Sequence, residues 1–277
     1  MGRKDFGYSL ERTATQKHWS MSAMHAHQDH ELYFLISGQR RYFLGHTIYD
    51  VAPGNVVFIP RTMLHRTVSL GAKGFDRYVI NFSQEHYDLF TAITGQDVLT
   101  AYPKGICLQL PPDKVWQIQK TFEQMELEQK LPSDWSRGVT ANYLYSILLD
   151  CFRYGKPKAP CQEETADKIQ QAARYISEHY TDLLTLEDAA NLVHMEKTYF
   201  SKRFKALTGF GFLDYLTQTR LRAAEDLLTR TELSISNISD ACGFSGSNYF
   251  GDVFRRYIGV SPTEYRLRGR NNADKKE

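Results

Sequence analysis

The side chains with the most chemistry to offer fall into two groups, one in each half of the chain. Toward the C-terminus, Lys197, Lys202, Arg203 and Lys205 are followed by Arg255, Arg256, Arg266, Arg268 and Arg270. Clustered cations of this kind can neutralise phosphates. Asn248 and Asp252 stand among them; Asn can pair bidentately with adenine and Asp can accept from cytosine N4. A solvated charged face explains any one of these residues equally well. Toward the N-terminus, His25 and His27 are two apart, so on a strand both imidazoles face the same side. The four cysteines, Cys107, Cys151, Cys161 and Cys242, show neither CxxC spacing nor a disulfide framework.

Bulk charge does not decide between these chemistries. The net charge is +2, and from Cys161 onward 16 Lys+Arg face 17 Asp+Glu. Any affinity for nucleic acid must therefore come from placement rather than total charge. A chain of 277 residues suggests two domains. A hydrophobic content of 42% and a charged content of 24% are ordinary for a globular protein. With no secretory signal and no apolar run of about 18 residues, the expectation is a soluble, cytoplasmic protein without membrane association.

The elements that position the basic residues repeat. Leu186, Ala189, Ala190, Val193 and Met195 recur 49 residues later as Ile235, Ile238, Ser239, Cys242 and Phe244. After one extra residue the offset is 50, through Tyr199/Tyr249, Phe200/Phe250, Phe204/Phe254, Gly209/Gly259 and Tyr215/Tyr265. Two units at a fixed offset indicate a duplicated supersecondary motif. Thr185 is expected to cap a helix from Leu186 to about His194. A second helix, opening at Glu196-Lys-Thr and stopped by Gly209, carries the stripe Tyr199, Phe200, Phe204 and Leu207. In the second copy Ser236 is expected to cap, Gly243 to make the turn, and Ser247 to open a helix ended by Gly259. Ala190 and Ser239 leave room for helices to cross. Each copy reads as a helix-turn-helix. Phe212 to Arg230 forms one long connecting helix, with Leu216, Leu221, Ala224, Leu227 and Leu228 inward. It holds the two second helices at a fixed separation, as successive major-groove segments about 34 Å apart require.

This stretch resembles the C-terminal DNA-binding domain of AraC/XylS-type transcriptional regulators. The residues that carry the resemblance are Ala241-Cys-Gly-Phe-Ser, Asn248-Tyr-Phe, Phe254-Arg-Arg, Gly259-Val-Ser-Pro and Glu264-Tyr-Arg. Ser239, Glu196, Gly251 and Asp252 depart from the usual pattern. By position, the resemblance implies base-edge readers at Thr198, Ser201 and Lys202 and at Ser247, Asn248 and Asp252. It leaves Lys197, Lys205, Arg255 and Arg256 to phosphates. The six aromatics Tyr199, Phe200, Phe204, Tyr249, Phe250 and Phe254 are expected in the core.

From Trp19 to about Leu110 short apolar runs alternate with Gly/Pro turns: Glu31 to Gly38, Arg41 to Leu44, Asn55 to Pro60 and Arg77 to Phe82. That texture is a sandwich or barrel. Residues 1 to about 18 are polar and give no signal. The order His25, His27, Glu31, Gly38, then Gly54, Pro60 and His65 resembles both cupin motifs. Such a jelly roll is a common partner of the AraC-type domain. It implies a metal-ligand set of His25, His27, Glu31 and His65, whose imidazoles and carboxylate suit a divalent transition metal. Sensor cupins frequently keep this set for hydrogen bonding or packing, so no cofactor is expected. A small-molecule effector pocket in the barrel mouth is preferred, drawing on Trp19, His25, His27, Glu31, Tyr33 and His65, with Tyr42 and Phe58 as further aromatic walls. A sugar-like metabolite would suit such walls.

Pro111-Pro112-Asp113 opens a helical texture. Asp113 is expected to cap a helix to about Lys130, and a second helix runs from about Trp135 to Tyr154. The expected architecture is thus multidomain α+β. A cupin-like barrel (1–110) is followed by a helical pair acting in dimerisation (111–154), a linker (155–165) and an all-α domain with two helix-turn-helix motifs (166–270). The expected function is a sequence-specific, non-enzymatic transcriptional regulator. Its partners are double-stranded DNA, a small-molecule effector, a second copy of the chain and, if it activates, RNA polymerase. The rivals are a cupin metalloenzyme and a regulator without a ligand.

Overall fold

The computed structural model describes residues 7–16, 29–71 and 73–273, with 269–273 given by backbone alone. Trp19, His25 and His27 lie outside the described residues. The chain divides into two compact units, 1–163 and 164–277.

The first unit begins with β1 (Tyr8–Thr15), β2 (His30–Ser37), β3 (Arg40–Leu44), β4 (Thr47–Val51), β5 (Asn55–Ile59), β6 (His65–Ser69) and β7 (Phe75–Phe82). Then come α1 (Gln84–Thr94), α2 (Val98–Ala101), β8 (Ile106–Gln109), α3 (Pro112–Lys130), α4 (Ser136–Tyr154) and β9 (Lys156–Pro157). Among the described residues all pairings are antiparallel, in a six-stranded sheet ordered β1-β7-β2-β5-β8-β9 and a three-stranded sheet ordered β4-β3-β6.

The large sheet is buried on both faces, which explains why His30–Ser37 reads as a nearly unbroken apolar run. Strand alternation divides its side chains. Leu32, Phe34, Val56, Phe58, Tyr78, Ile80 and Phe82 pack under the helices with Ile118, Phe122, Met125, Leu144 and Ile147. Tyr33, Leu35, Val57, Ile59 and Val79 face the small sheet, against Tyr42, Leu44, Tyr49, Val51 and Met63. Phe122 is fully buried between Phe34 and Tyr78, with ring centroids at 5.4 and 4.7 Å.

Four expectations change here. The polar run Tyr8–Thr15 is a strand, paired with β7 along its whole length from Tyr8↔Phe82 to Thr15↔Phe75. As an edge strand it tolerates polar residues that hide it from a hydrophobicity reading. Phe58 faces the helices, edge-on to Phe152 at 5.3 Å, so it does not wall the barrel. The cap of α3 is Pro111, with Pro112 at the first helical position, where a missing N–H costs nothing; Asp113 lies within the first turn. Much of the expected linker is strapped to the first unit. β9 pairs with β8, the Cys161 N–H donates to Ile48 O (2.7 Å), and Arg41 bridges Asp50 (2.6 Å) and Glu163 (3.0 Å).

The second unit is all helical: α5 (Glu164–Glu178), α6 (Leu186–Leu192), α7 (Lys197–Thr208), α8 (Phe212–Arg230), α9 (Ile235–Ala241), α10 (Ser247–Ile258) and α11 (Pro262–Ala273). Among the described residues no helix is long and apolar enough to cross a membrane.

Candidate nucleic-acid interface

Each half of the second unit is built around aromatic residues spaced to face one way. Phe200 and Phe204 lie tilted to each other at 5.4 Å, and Tyr215 meets Phe204 edge-on at 5.6 Å. Fifty residues on, Phe250 and Phe254 lie at 5.5 Å and Tyr265 meets Phe254 edge-on at 5.5 Å. The repeat seen in the sequence is therefore a repeat of packing. α8 serves both halves: Phe212, Tyr215 and Leu216 are buried near its start, and Leu221, Ala224 and Leu228 belong to the second core.

Side-chain caps open α6, α7 and α9. Thr185 and Asp188 form a capping box at α6. The Glu196 carboxylate accepts the N–H groups of Thr198 and Tyr199, both at 2.8 Å, and these bonds hold its pKa below the usual carboxylate value. In the second copy Ser234, not Ser236, caps α9 by accepting from the Asn237 N–H at 3.1 Å; Ser236 lies inside the helix. Gly246 precedes α10 without a side-chain cap. Left-handed glycines, Gly209 and Gly259, end α7 and α10.

The two turns occupy equivalent places and both require positive φ: His194 at 52° and Gly243 at 75°. A Cβ on Gly243 would stand 2.7 Å from Thr181 O. The same loop after α5 is held by Arg220, which donates to Tyr180 O at 2.7 Å and Asp182 O at 2.9 Å. The small residues Ala190 and Ser239 are buried, as helix crossing requires.

What remains outside is a polar face on each second helix. Lys197, Thr198, Lys202 and Lys205 are exposed on α7, with Ser201 half-buried; Ser247, Asn248, Asp252, Arg255 and Arg256 are exposed on α10. Lys197 also pairs with Glu187 at 3.3 Å, a surface contact weak enough to exchange for a phosphate. Tyr199 and Tyr249 do not join the core: they are 49% and 55% exposed, at matching positions of the two faces. The period had the information. Three, four and seven residues after Tyr199 come Lys202, Arg203 and Ala206, so Tyr199 sits at the edge of the Phe200 stripe rather than in it.

In the first unit the structure brings together Glu31, Tyr33 and His65, all buried. The His65 Nδ1–H donates to Met63 O at 2.9 Å, which leaves Nε2 to face Glu31 at 4.0 Å. This places two of the four ligands the cupin resemblance implied; the other two, His25 and His27, lie outside the described residues. Among the described residues no group of three His, Cys, Asp or Glu could hold an ion. Tyr33 packs edge-on to Tyr42 at 5.0 Å, and burial pushes its phenol up to about 12. Tyr33, Tyr42, Tyr49 and Met63 pack together between the sheets.

Comparisons with known proteins agree with both halves. Residues 7–131 match the model of an AraC-like ligand binding domain, and residues 189–268 match that of a helix-turn-helix domain. The chain is 24% identical over 245 residues to the HTH-type transcriptional activator RhaR of Mannheimia succiniciproducens, covering 88% of this chain and 87% of that protein. It is 28% identical over 258 residues to RhaR of an Enterobacter species, covering 91% and 89%. The regulatory protein PocR of Salmonella typhimurium is 40% identical over 106 residues, 38% of this chain and 35% of that one.

Proposed function

Since this chain belongs to the AraC family of transcriptional regulators, and so is a DNA-binding regulator, we propose how its second unit reads DNA. The α7 and α10 helices enter successive major-groove segments of one duplex. Thr198, Ser201 and Lys202 on α7, and Ser247, Asn248 and Asp252 on α10, contact base edges. Lys197, Lys205, Arg255 and Arg256 contact phosphates and set the register. Tyr199 and Tyr249 join the same surface, each offering a ring to sugar or thymine methyl and a hydroxyl to phosphate. The observation that supports this reading most is the duplication itself: two equivalent faces, kept polar and exposed, on helices joined through one shared core helix.

The first unit is the regulatory one, and we assign it no catalysis. It senses a small molecule; α3 and the turn from α3 to α4 carry exposed Trp116, Leu127, Leu131 and Trp135, which suit a second copy of the chain. The protein works in the cytoplasm, and if it activates it contacts RNA polymerase. A second reading, control by abundance alone, draws on the side chains packed between the sheets.

The test is titration of the full chain onto duplex DNA from upstream of its own coding region, against a scrambled duplex, at several salt concentrations. Preference for the native duplex with a steeply negative salt slope is expected. Equal, weak binding to both duplexes would overturn the assignment of the two faces.

A further inference from the structure

The first unit contains a cleft outside the barrel, where α1, α2 and the last turns of α4 meet. Its volume is about 430 Å³, and Phe90, Val98, Tyr102, Leu149 and Phe152 wall it, with Arg153 at its edge. That volume is in the range that takes a small organic ligand.

The charges of the lining are unequal in what they can offer. Asp97 serves its own turn. It accepts the Tyr87 hydroxyl at 2.6 Å, the Thr100 hydroxyl at 2.7 Å, and the N–H groups of Leu99 at 3.0 Å and Thr100 at 3.4 Å. Three of these donors share Oδ1 and only the Thr100 hydroxyl is on Oδ2, so the bonds tie Asp97 to the turn that opens α2. Arg153 has its guanidinium over the Tyr154 ring at 5.2 Å and no carboxylate within ion-pair distance among the described residues. Its five N–H donors match a carboxylate better than any other small anion-bearing group of an organic ligand except phosphate. Apolar walls favour a hydrocarbon body and only a single charge.

We infer that this cleft binds a small organic monocarboxylate, its aliphatic or aromatic body against Phe90, Val98, Leu149 and Phe152 and its carboxylate on Arg153. The inference rests on the reading that the first unit senses a small molecule, and it moves that molecule from the barrel to the helical cleft. The position has a consequence for signalling. Arg153 is one residue from the end of α4, and the chain then runs through β9 to the start of the DNA-binding unit at Glu164. A carboxylate on Arg153 holds the last turn of α4 where the chain leaves the sensor. Regulation follows when the ligand binds one conformation of that turn better than another.

The experiment is calorimetric titration of the full-length protein with octanoate, using octan-1-ol and octylamine as neutral and cationic controls. It is repeated on Arg153→Gln and Leu149→Glu, whose melting temperatures are checked first; both positions are exposed, so the fold is expected to hold. Octanoate is expected to bind, Arg153→Gln to weaken it by about tenfold or more, Leu149→Glu to abolish it, and octylamine not to bind. Absence of octanoate binding at millimolar concentration overturns the inference, as does equal binding by Arg153→Gln or by Leu149→Glu. The same preparations are titrated with the native duplex. Intact DNA preference without octanoate binding removes the cleft and leaves the regulator; octanoate binding that leaves DNA affinity unchanged keeps the cleft and removes its sensory role.

Discussion

The two helix-turn-helix copies reach the same backbone with different residues, and the contrast separates what packing fixes from what it leaves free. Their cores match: Phe204 with Tyr215 and Phe254 with Tyr265 repeat one edge-on contact at 5.6 and 5.5 Å. Their turns and caps do not. The first copy uses His194 at a positive φ and caps α7 with Glu196; the second uses Gly243 and leaves Gly246 uncapped. Their outer faces differ again. The α7 face is dominated by Lys197, Lys202 and Lys205, the first turns of α10 by Ser247, Asn248 and Asp252. The α7 face thus carries the denser positive charge along its length, whereas α10 opens with amide, hydroxyl and carboxylate groups and keeps its charge in Arg255 and Arg256 near its end.

The largest effect should come from the shared core. Phe204→Ala and Phe254→Ala each remove a fully buried ring and are expected to cost about 3–5 kcal/mol in denaturant unfolding. A cost far smaller for one of them would mean the two cores are not equivalent. The turns come next. Gly243→Ala forces a Cβ into Thr181 O at a φ of 75°, and should destabilise by about 1–2 kcal/mol or more. His194→Gly relieves a left-handed residue and should change stability by under about 1 kcal/mol. If the alanine variant melts with wild type, the turn is not constrained as described.

The outer faces give a third pair. Asn248→Ala should lose about 1–3 kcal/mol on the native duplex and relax one base position, whereas Lys205→Ala should weaken all duplexes alike and reduce the salt slope by about one. Interchanged behaviour in a binding titration would reverse the roles of the two helices. The smallest effect concerns the cap. Bonds from two N–H groups depress the Glu196 pKa in the folded chain. Its contribution is therefore present above the unfolded carboxylate pKa and is lost as pH falls through the lower folded value. Glu196→Gln should flatten that part of the stability curve, measured by melting between about pH 3 and pH 6; an unchanged curve would remove Glu196 from the capping role.

Most of the helical unit was legible because its period is long and its stops are glycines. The offset pairs, the span Phe212–Arg230 and the caps at Thr185, Gly209 and Gly259 all reappear. Ser236 was misplaced because two serines two residues apart offer the same cap, and only φ and ψ choose Ser234. In the β unit the apolar strands were visible, but β1 was not, since an edge strand need not be apolar. Nor could alternation alone tell which face of β5 meets the helices, so Phe58 was assigned to the wrong side.

By itself, then, the sequence determined the duplicated helical scaffold, the β unit and the polar outer faces of α7 and α10. These follow from periodicity and from residues with restricted backbone choices, which act locally. Tertiary structure alone decided that Phe58 faces the helices, that 155–163 is strapped to the β unit, and that a cleft opens beside α4 at Arg153. Each depends on contacts between segments far apart in the chain, and a one-dimensional pattern carries no record of which surfaces meet.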